Sequence, residues 1–200
     1  MRDPRSLLTH LWTAGVRSVG GREAVAAALE RDGPLAASLV VAAGKAACSM
    51  FEGAAPCLSA ATRSIVVSKH GHIDPGFRAR PGMEIIEAGH PLPDANSLVA
   101  GERVLRAVSE AGSDDRLLLL ISGGASATVE ALQPGLDLDE LQAVTSSLLG
   151  SGQSIHQIND IRSRMSRIKG GRLLASLPRN SPRSRPPLMR DMRERMSLIW

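Results

Sequence analysis

The stretch Leu117-Leu-Leu-Leu-Ile-Ser-Gly-Gly-Ala-Ser-Ala127 decides how the rest of this 200-residue chain is read. An uncharged apolar run, Leu117–Ile121, drives into a paired-glycine turn that carries Ser122 and Ser126. A run that is apolar at every position has no polar face to offer water. It predicts a strand buried on both sides, as in a parallel sheet covered by helices. Ligands bind at the C-terminal ends of such strands, and glycines there let backbone N–H groups close on an anion.

Outward from that turn, three more strands are predicted. Leu39–Ala43 is broken by Gly44, Arg63–Ser68 exits through Lys69-His-Gly-His72, and Met83–Ala88 leads into Gly89-His-Pro-Leu-Pro-Asp94. Helical spacing is predicted over Ala46–Ala55 and over Asn96–Glu110, where Leu98, Val99, Val104, Leu105 and Val108 recur. Upstream, Ser6–Gly20 sets Leu7, Leu8, Leu11, Trp12 and Val16 on one face, and Arg22–Arg31 is a second short helix. Downstream, Asp137-x-x-Glu140 is a capping-box start for a helix to about Leu149. Ser154-x-x-Gln157 opens another, with Ile155, Ile158, Ile161, Met165 and Ile168 on one side and Lys169-Gly-Gly-Arg172 closing it. Strands alternating with helices argue for an α/β fold with a mainly parallel sheet.

Composition bounds the partners. The chain is 43% hydrophobic but only 2% aromatic, so Leu, Val, Ile, Ala and Met must build the core. The net charge of +4 is confined to residues 178–200, where six arginines (179, 183, 185, 190, 193, 195) face Asp191 and Glu194. The basicity belongs to a tail rather than to a domain face, and aromatics to stack bases are scarce, so no nucleic-acid partner is expected. Four prolines among those arginines predict a disordered tail from 178 to 200. Cys48 and Cys57 are expected as free thiols. With no signal-peptide pattern and no apolar run of membrane-spanning length, a cytoplasmic chain without a membrane partner is expected.

Several residues stand where chemistry is done. Lys45, after a strand and one glycine, is either a cation held where phosphate would sit or a surface lysine after a turn. The flanking residues exclude a Walker A motif, since Leu39 and Ala46 replace its first glycine and its Ser/Thr. Ser122, Gly123, Gly124 and Ser126 make a donor-rich loop suited to an anion, or a plain tight turn. His90 and Asp94 flank two prolines that stiffen a loop, although the same pattern also serves to enter a helix. His70 and His72 lack nearby carboxylates or thiols, and no metal site is expected there. Arg162, Ser166 and Lys169, with the glycine pair at 170 and 171, are a last candidate that reads more readily as the solvated basic face of an amphipathic helix, a reading tempered by Lys-Gly-Gly-Arg at the helix end.

Taken together, Ala43-Gly-Lys-Ala-Ala47, Glu87-Ala-Gly-His-Pro-Leu-Pro-Asp94 and Leu120-Ile-Ser-Gly-Gly-Ala-Ser-Ala127 resemble signatures of bacterial and archaeal glycerate 2-kinases. These two-domain enzymes are also named as hydroxypyruvate reductases. Ser151–Asn159 and Ile161–Leu173 continue the resemblance in the same order. It implies a Rossmann-like three-layer N-terminal domain, a smaller second α/β domain, and a site in the cleft between them. It also implies transfer of the γ-phosphoryl group of ATP to the 2-hydroxyl of D-glycerate, with Mg²⁺. By resemblance Lys45 stabilises the transferring phosphoryl group and the Ser122–Ser126 loop cradles phosphate. His90, Asp94, Arg162 and Lys169 then line the substrate side.

The chain departs from that pattern at Ala125, Thr128-Val129 and Arg164, where the family commonly has a third glycine, an apolar pair and a histidine. After Ala175 the family continues with a strand, an acidic turn and the whole second domain. Here the expectation is an incomplete N-terminal domain over 1–177, cut before the second domain, with 178–200 out of frame or disordered. A kinase inactive in isolation heads the functional expectations. A hydroxypyruvate reductase, disfavoured by the missing G-x-G-x-x-G fingerprint, and a non-catalytic anion-binding half-domain needing a partner chain compete with it.

Overall fold

The computed structural model describes residues 3–33, 36–112 and 114–177, so the arginine-rich tail expected from 178 lies outside the described residues. The elements run α1 (Pro4–Ser18), α2 (Gly21–Asp32), β1 (Leu39–Ala43), α3 (Ala47–Ala54), β2 (Arg63–Lys69) and β3 (Met83–Ala88). They continue with α4 (Ala95–Ser109), β4 (Leu117–Ile121), α5 (Ala125–Thr128), α6 (Leu138–Gly150), α7 (Ile155–Met165) and α8 (Arg172–Ala175).

The four strands form one all-parallel sheet in the order β3-β2-β1-β4. Consecutive strands step one way from β1 to β3, and the chain then crosses back to lay β4 on the other side of β1. That reversal, between β1 and β4, is the switch point at which doubly wound sheets bind ligands. Register brings the strand ends level: Ala43 pairs with Val67 on one side and Ile121 on the other.

Alternate residues of each strand feed two separate cores. Leu39, Val41, Ala43, Ile65 and Val67 pack under α4, α5 and Ile168. Val40, Ala42, Val66, Leu118 and Leu120 pack under α2 and α3, around Phe51. Helices on both faces of a parallel sheet make the three-layer α/β architecture that the apolar strands predict. Asp94 caps α4, Asp137 caps α6 and Ser154 caps α7, each in a reciprocal capping box.

Three readings change. The helix expected to run through Ile168 stops at Met165, because Ser166 turns extended and forms an antiparallel bridge with Leu132. Ile168 therefore reaches the sheet from a loop, buried to 2% exposure. A short helix, α5, starts within the Ser122–Ser126 segment instead of a plain turn. The apolar stripe of α1 covers no core: Leu8, Leu11 and Trp12 are exposed, and none of its residues is buried.

Candidate phosphate-binding rim

The two turns at the switch point are sewn together. The N–H of Lys45 donates to Gly123 O (2.9 Å), and the Ala46 N–H donates to Ser122 Oγ (3.0 Å). Ser122 Oγ donates in turn to Ala43 O (3.2 Å). Gly44 makes this approach possible. It sits at φ +110°, and a Cβ there would strike the backbone and hydroxyl of Ser122. On the opposite side, the buried Ser68 hydroxyl donates to Gly44 O (3.2 Å).

This stitching consumes the donors at the start of α3. Lys45, Ala46 and Ala47 all give their N–H groups to protein acceptors. The turn after β4 differs. The N–H groups of Gly123, Gly124 and Ser126 have no protein acceptor among the described residues. Gly124 is left-handed, at φ +96°, a conformation that turns successive N–H groups into one concavity. Of the two turns, β1→α3 thus contributes a cation and β4→α5 the backbone donors.

The ammonium of Lys45 is exposed and has no carboxylate partner among the described residues. His90 arrives from the end of β3. A Cβ on Gly124 would lie 3.0 Å from His90 Cδ2 and 3.3 Å from Lys45 Cγ, so these three residues crowd one spot. Partial burial, and then the charges of Lys45 and Lys69, hold the imidazole below its ordinary pKa. His90 is therefore neutral near pH 7 and leaves Lys45 as the charge at that point.

Asp94 supports the rim rather than opening onto it. Its Oδ1 accepts from the Ser97 N–H (2.9 Å) and hydroxyl (3.1 Å), and its Oδ2 meets His70 Nε2 at 2.7 Å. Burial pushes its carboxyl pKa up, but the hydrogen bonds from His70, Ser97 and Gly89 outweigh this and bring it down to about 2. An ionised Asp94 makes His70 Nε2 the donor, so one carboxylate ties the exit of β2 to the loop bearing His90.

Arg162 and Lys169 lie behind the rim. Arg162, from α7, donates to the Ser126 carbonyl (2.8 Å) and is only 8% exposed. Lys169 is 2% exposed, and its ammonium pairs with the fully buried Glu130. The solvated basic face expected of this segment is therefore corrected. Arg162 and Lys169 face inward because the Ser126 carbonyl and Glu130 wait there, while Arg164 stays exposed and Arg167 pairs with Glu102 at the surface.

A family profile described as a domain of unknown function, DUF4147, matches residues 7–181. The chain belongs to the DUF4147 family. The match ends at residue 181, four residues into the 178–200 stretch. A D-glycerate 2-kinase of Thermotoga maritima is 42% identical over 135 residues, covering 67% of this chain and 32% of that protein. A glycerate 2-kinase of Pyrococcus horikoshii is 37% identical over 134 residues, 67% of this chain and 29% of its own length. The crystal structure of a glycerate kinase from Thermotoga maritima superposes with a TM-score of 0.75 at 37% identity, covering 84% of this chain and 41% of that one. This DUF4147 chain thus spans about a third of the two relatives and two fifths of the solved structure.

The sequence-predicted residues separate into groups. Lys45, His90 and the Ser122–Gly124 turn meet at the switch point. Asp94 and His70 brace them, while Ser126, Arg162 and Lys169 form a layer beneath. Glu130 is the residue that sequence reasoning passed over. Its one signal was a lone carboxylate between Val129 and Ala131, in a stretch otherwise small or apolar.

Proposed function

We propose that this DUF4147 chain carries the phosphate-handling part of a D-glycerate 2-kinase, which moves the γ-phosphoryl group of ATP onto the 2-hydroxyl of D-glycerate. The observation carrying this reading is the exposed Lys45 ammonium, without a carboxylate partner among the described residues, beside a glycine turn in which the N–H groups of Gly123, Gly124 and Ser126 have no acceptor among those residues, both at the switch point of a parallel sheet. The glycerate 2-kinases among the relatives supply the substrate.

Phosphoryl transfer is mostly positioning and stabilisation of charge on the equatorial oxygens, and cations with fixed dipoles are the means. In this reading the N–H groups of Gly123, Gly124 and Ser126 hold phosphate oxygens. Lys45 stabilises the charge that develops as the hydroxyl oxygen bonds to phosphorus and the bond to ADP breaks. Neutral His90 stands on the acceptor side as a hydrogen-bonding group, and Asp94 fixes its loop.

The described residues do not fit a dedicated Mg²⁺ site. No three His, Cys, Asp or Glu side chains among them converge, and both Asp94 oxygens are engaged. Mg²⁺ enters this reading with the nucleotide's phosphates.

ADP release from ATP, D-glycerate and Mg²⁺, compared between the folded chain and its Lys45→Ala variant, tests the proposal together with ATP binding. Lys45-dependent turnover supports it outright. Lys45-dependent ATP binding without turnover supports a phosphate-holding part that needs the remaining length of its relatives. The absence of both turnover and Lys45-dependent ATP binding refutes it.

A further inference from the structure

Glu130 is buried to 0% exposure, and the rim chemistry does not use it. Its Oε2 pairs with Lys169 Nζ, and its Oε1 accepts from the Ala131 N–H (3.1 Å). Arg162 lies within its field and is itself nine-tenths buried. Lys169 contacts this carboxylate and Arg162 feels its charge without touching it, so the buried group carries a net charge of +1 and adjoins the Ser122–Ser126 turn through Arg162.

The cluster reaches the turn through one bond, from the Arg162 guanidinium to the carbonyl of Ser126. Arg162 Nε and Ser126 Oγ are both buried with no protein partner among the described residues, so the bond from the guanidinium to the Ser126 carbonyl is what joins the two. The segments carrying the charges are fastened to each other: Arg167 N–H to Ala131 O (2.7 Å), Gln133 N–H to Met165 O (2.9 Å), and Leu132 bridged to Ser166.

A buried ion pair is poor value as a source of stability, because well-packed apolar residues of the same volume stabilise as much or more. It does fix direction, since a guanidinium without its counter-charge moves toward water. We propose that Glu130 is a positioning residue: by pairing Lys169 and holding Arg162 inward, it fixes the Ser126 carbonyl and so the aim of the N–H groups in the Gly123–Ser126 turn. The consequence for phosphate rests on the reading of that turn given above; the consequence for the turn's order does not.

The test uses the whole chain and the double variant Glu130→Gln with Lys169→Met, which removes one charge of each sign and leaves the cluster at +1. The first readout is amide hydrogen exchange at Ala125, Ala127 and Thr128, whose N–H groups close the first turn of α5 onto Ser122 and Gly124. They are expected to exchange at least tenfold faster, while the amides of β1 and β2 keep their rates. The second is titration with inorganic tripolyphosphate, expected to bind at least tenfold more weakly, with Lys45→Ala reporting whether it binds at the rim.

Unchanged exchange in α5, or acceleration spread equally over the strands, overturns the proposal, because the pair is then inert or merely structural. Faster exchange with undiminished, Lys45-dependent tripolyphosphate binding overturns the link to phosphate and leaves the rim intact. Tripolyphosphate binding indifferent to Lys45 overturns the phosphate reading, while exchange still decides the positioning. Should the double variant fail to fold, Arg162→Met cuts the same bond with the ion pair in place, and the same selective acceleration is expected.

Discussion

Ser122 and Ser126 occupy equivalent places in the sequence, two hydroxyls flanking one small-residue turn, yet their removal has opposite expected consequences. Ser122 Oγ accepts from the Ala46 N–H at 3.0 Å and donates to Ala43 O at 3.2 Å. In Ser122→Ala, the Ala43 carbonyl keeps its bond from the Ser122 N–H (2.9 Å), so the loss falls on Ala46, left as a half-buried donor at the start of α3. An orphaned donor of this kind costs about 1–2 kcal/mol. For a domain of this size that corresponds to a fall in Tm of roughly 3–6 °C. Ser126 Oγ is buried with no partner among the described residues. Ser126→Ala removes a polar group already paying for its desolvation, and stability is expected to stay level or rise by up to about 1 kcal/mol. Urea unfolding of both variants at pH 7 measures the two side by side. A Ser126→Ala variant that loses as much as Ser122→Ala, or a neutral Ser122→Ala, would refute the stitching of the two turns.

Three further outcomes are expected. Gly101→Ala should destabilise by about 1–3 kcal/mol despite the better helix propensity of alanine, because a Cβ there collides with the Glu130 carbonyl where α4 crosses it; a more stable variant in chemical denaturation would show that the crossing is looser than described. The depressed Asp94 carboxyl contributes stability that is present above its unfolded pKa near 4 and lost as pH falls toward about 2. With the side chain about a third exposed, the contribution is on the order of 1 kcal/mol, and Asp94→Asn should flatten the acid limb of stability measured between pH 5 and 2. Burial, opposed by Glu130, lowers the Lys169 pKa to about 8, below its unfolded value, so the unfolded chain holds more protons between about pH 8 and 10. Over that window wild-type stability should rise relative to the Glu130→Gln, Lys169→Met double variant; in parallel urea titrations a flat difference would mean that Lys169 is solvated, and one that moves the other way that attraction to Glu130 outweighs burial.

How much was legible depended on whether a residue's role is local. The four strands were readable almost to the residue, since β1 and β4 are unbroken apolar runs, β2 and β3 are built on Ile65-Val-Val67 and Ile85-Ile86, and each is ended by glycine, lysine or a turn. The helix from Ile155 was overextended. Ile168 continues its apolar spacing, but the Leu132–Ser166 bridge, set by residues far away in sequence, ends the helix at Met165. Lys45 and the glycine turn were readable because each follows directly on a strand. Glu130 was not, because the cation that explains it lies 39 positions along the chain.

The sequence by itself determined that this chain builds a parallel α/β sheet and which turns carry polar groups at its edge. Those features follow from solvent exclusion along a strand and from the conformations open to glycine, and both act over a few residues. Only the tertiary structure decided that the turns after β1 and β4 are neighbours, that one spends its backbone donors and the other keeps them, and that Arg162 and Lys169 point inward. Strand order and the pairing of buried charges join residues distant in the chain, and no local pattern records which partner a donor or a charge will meet.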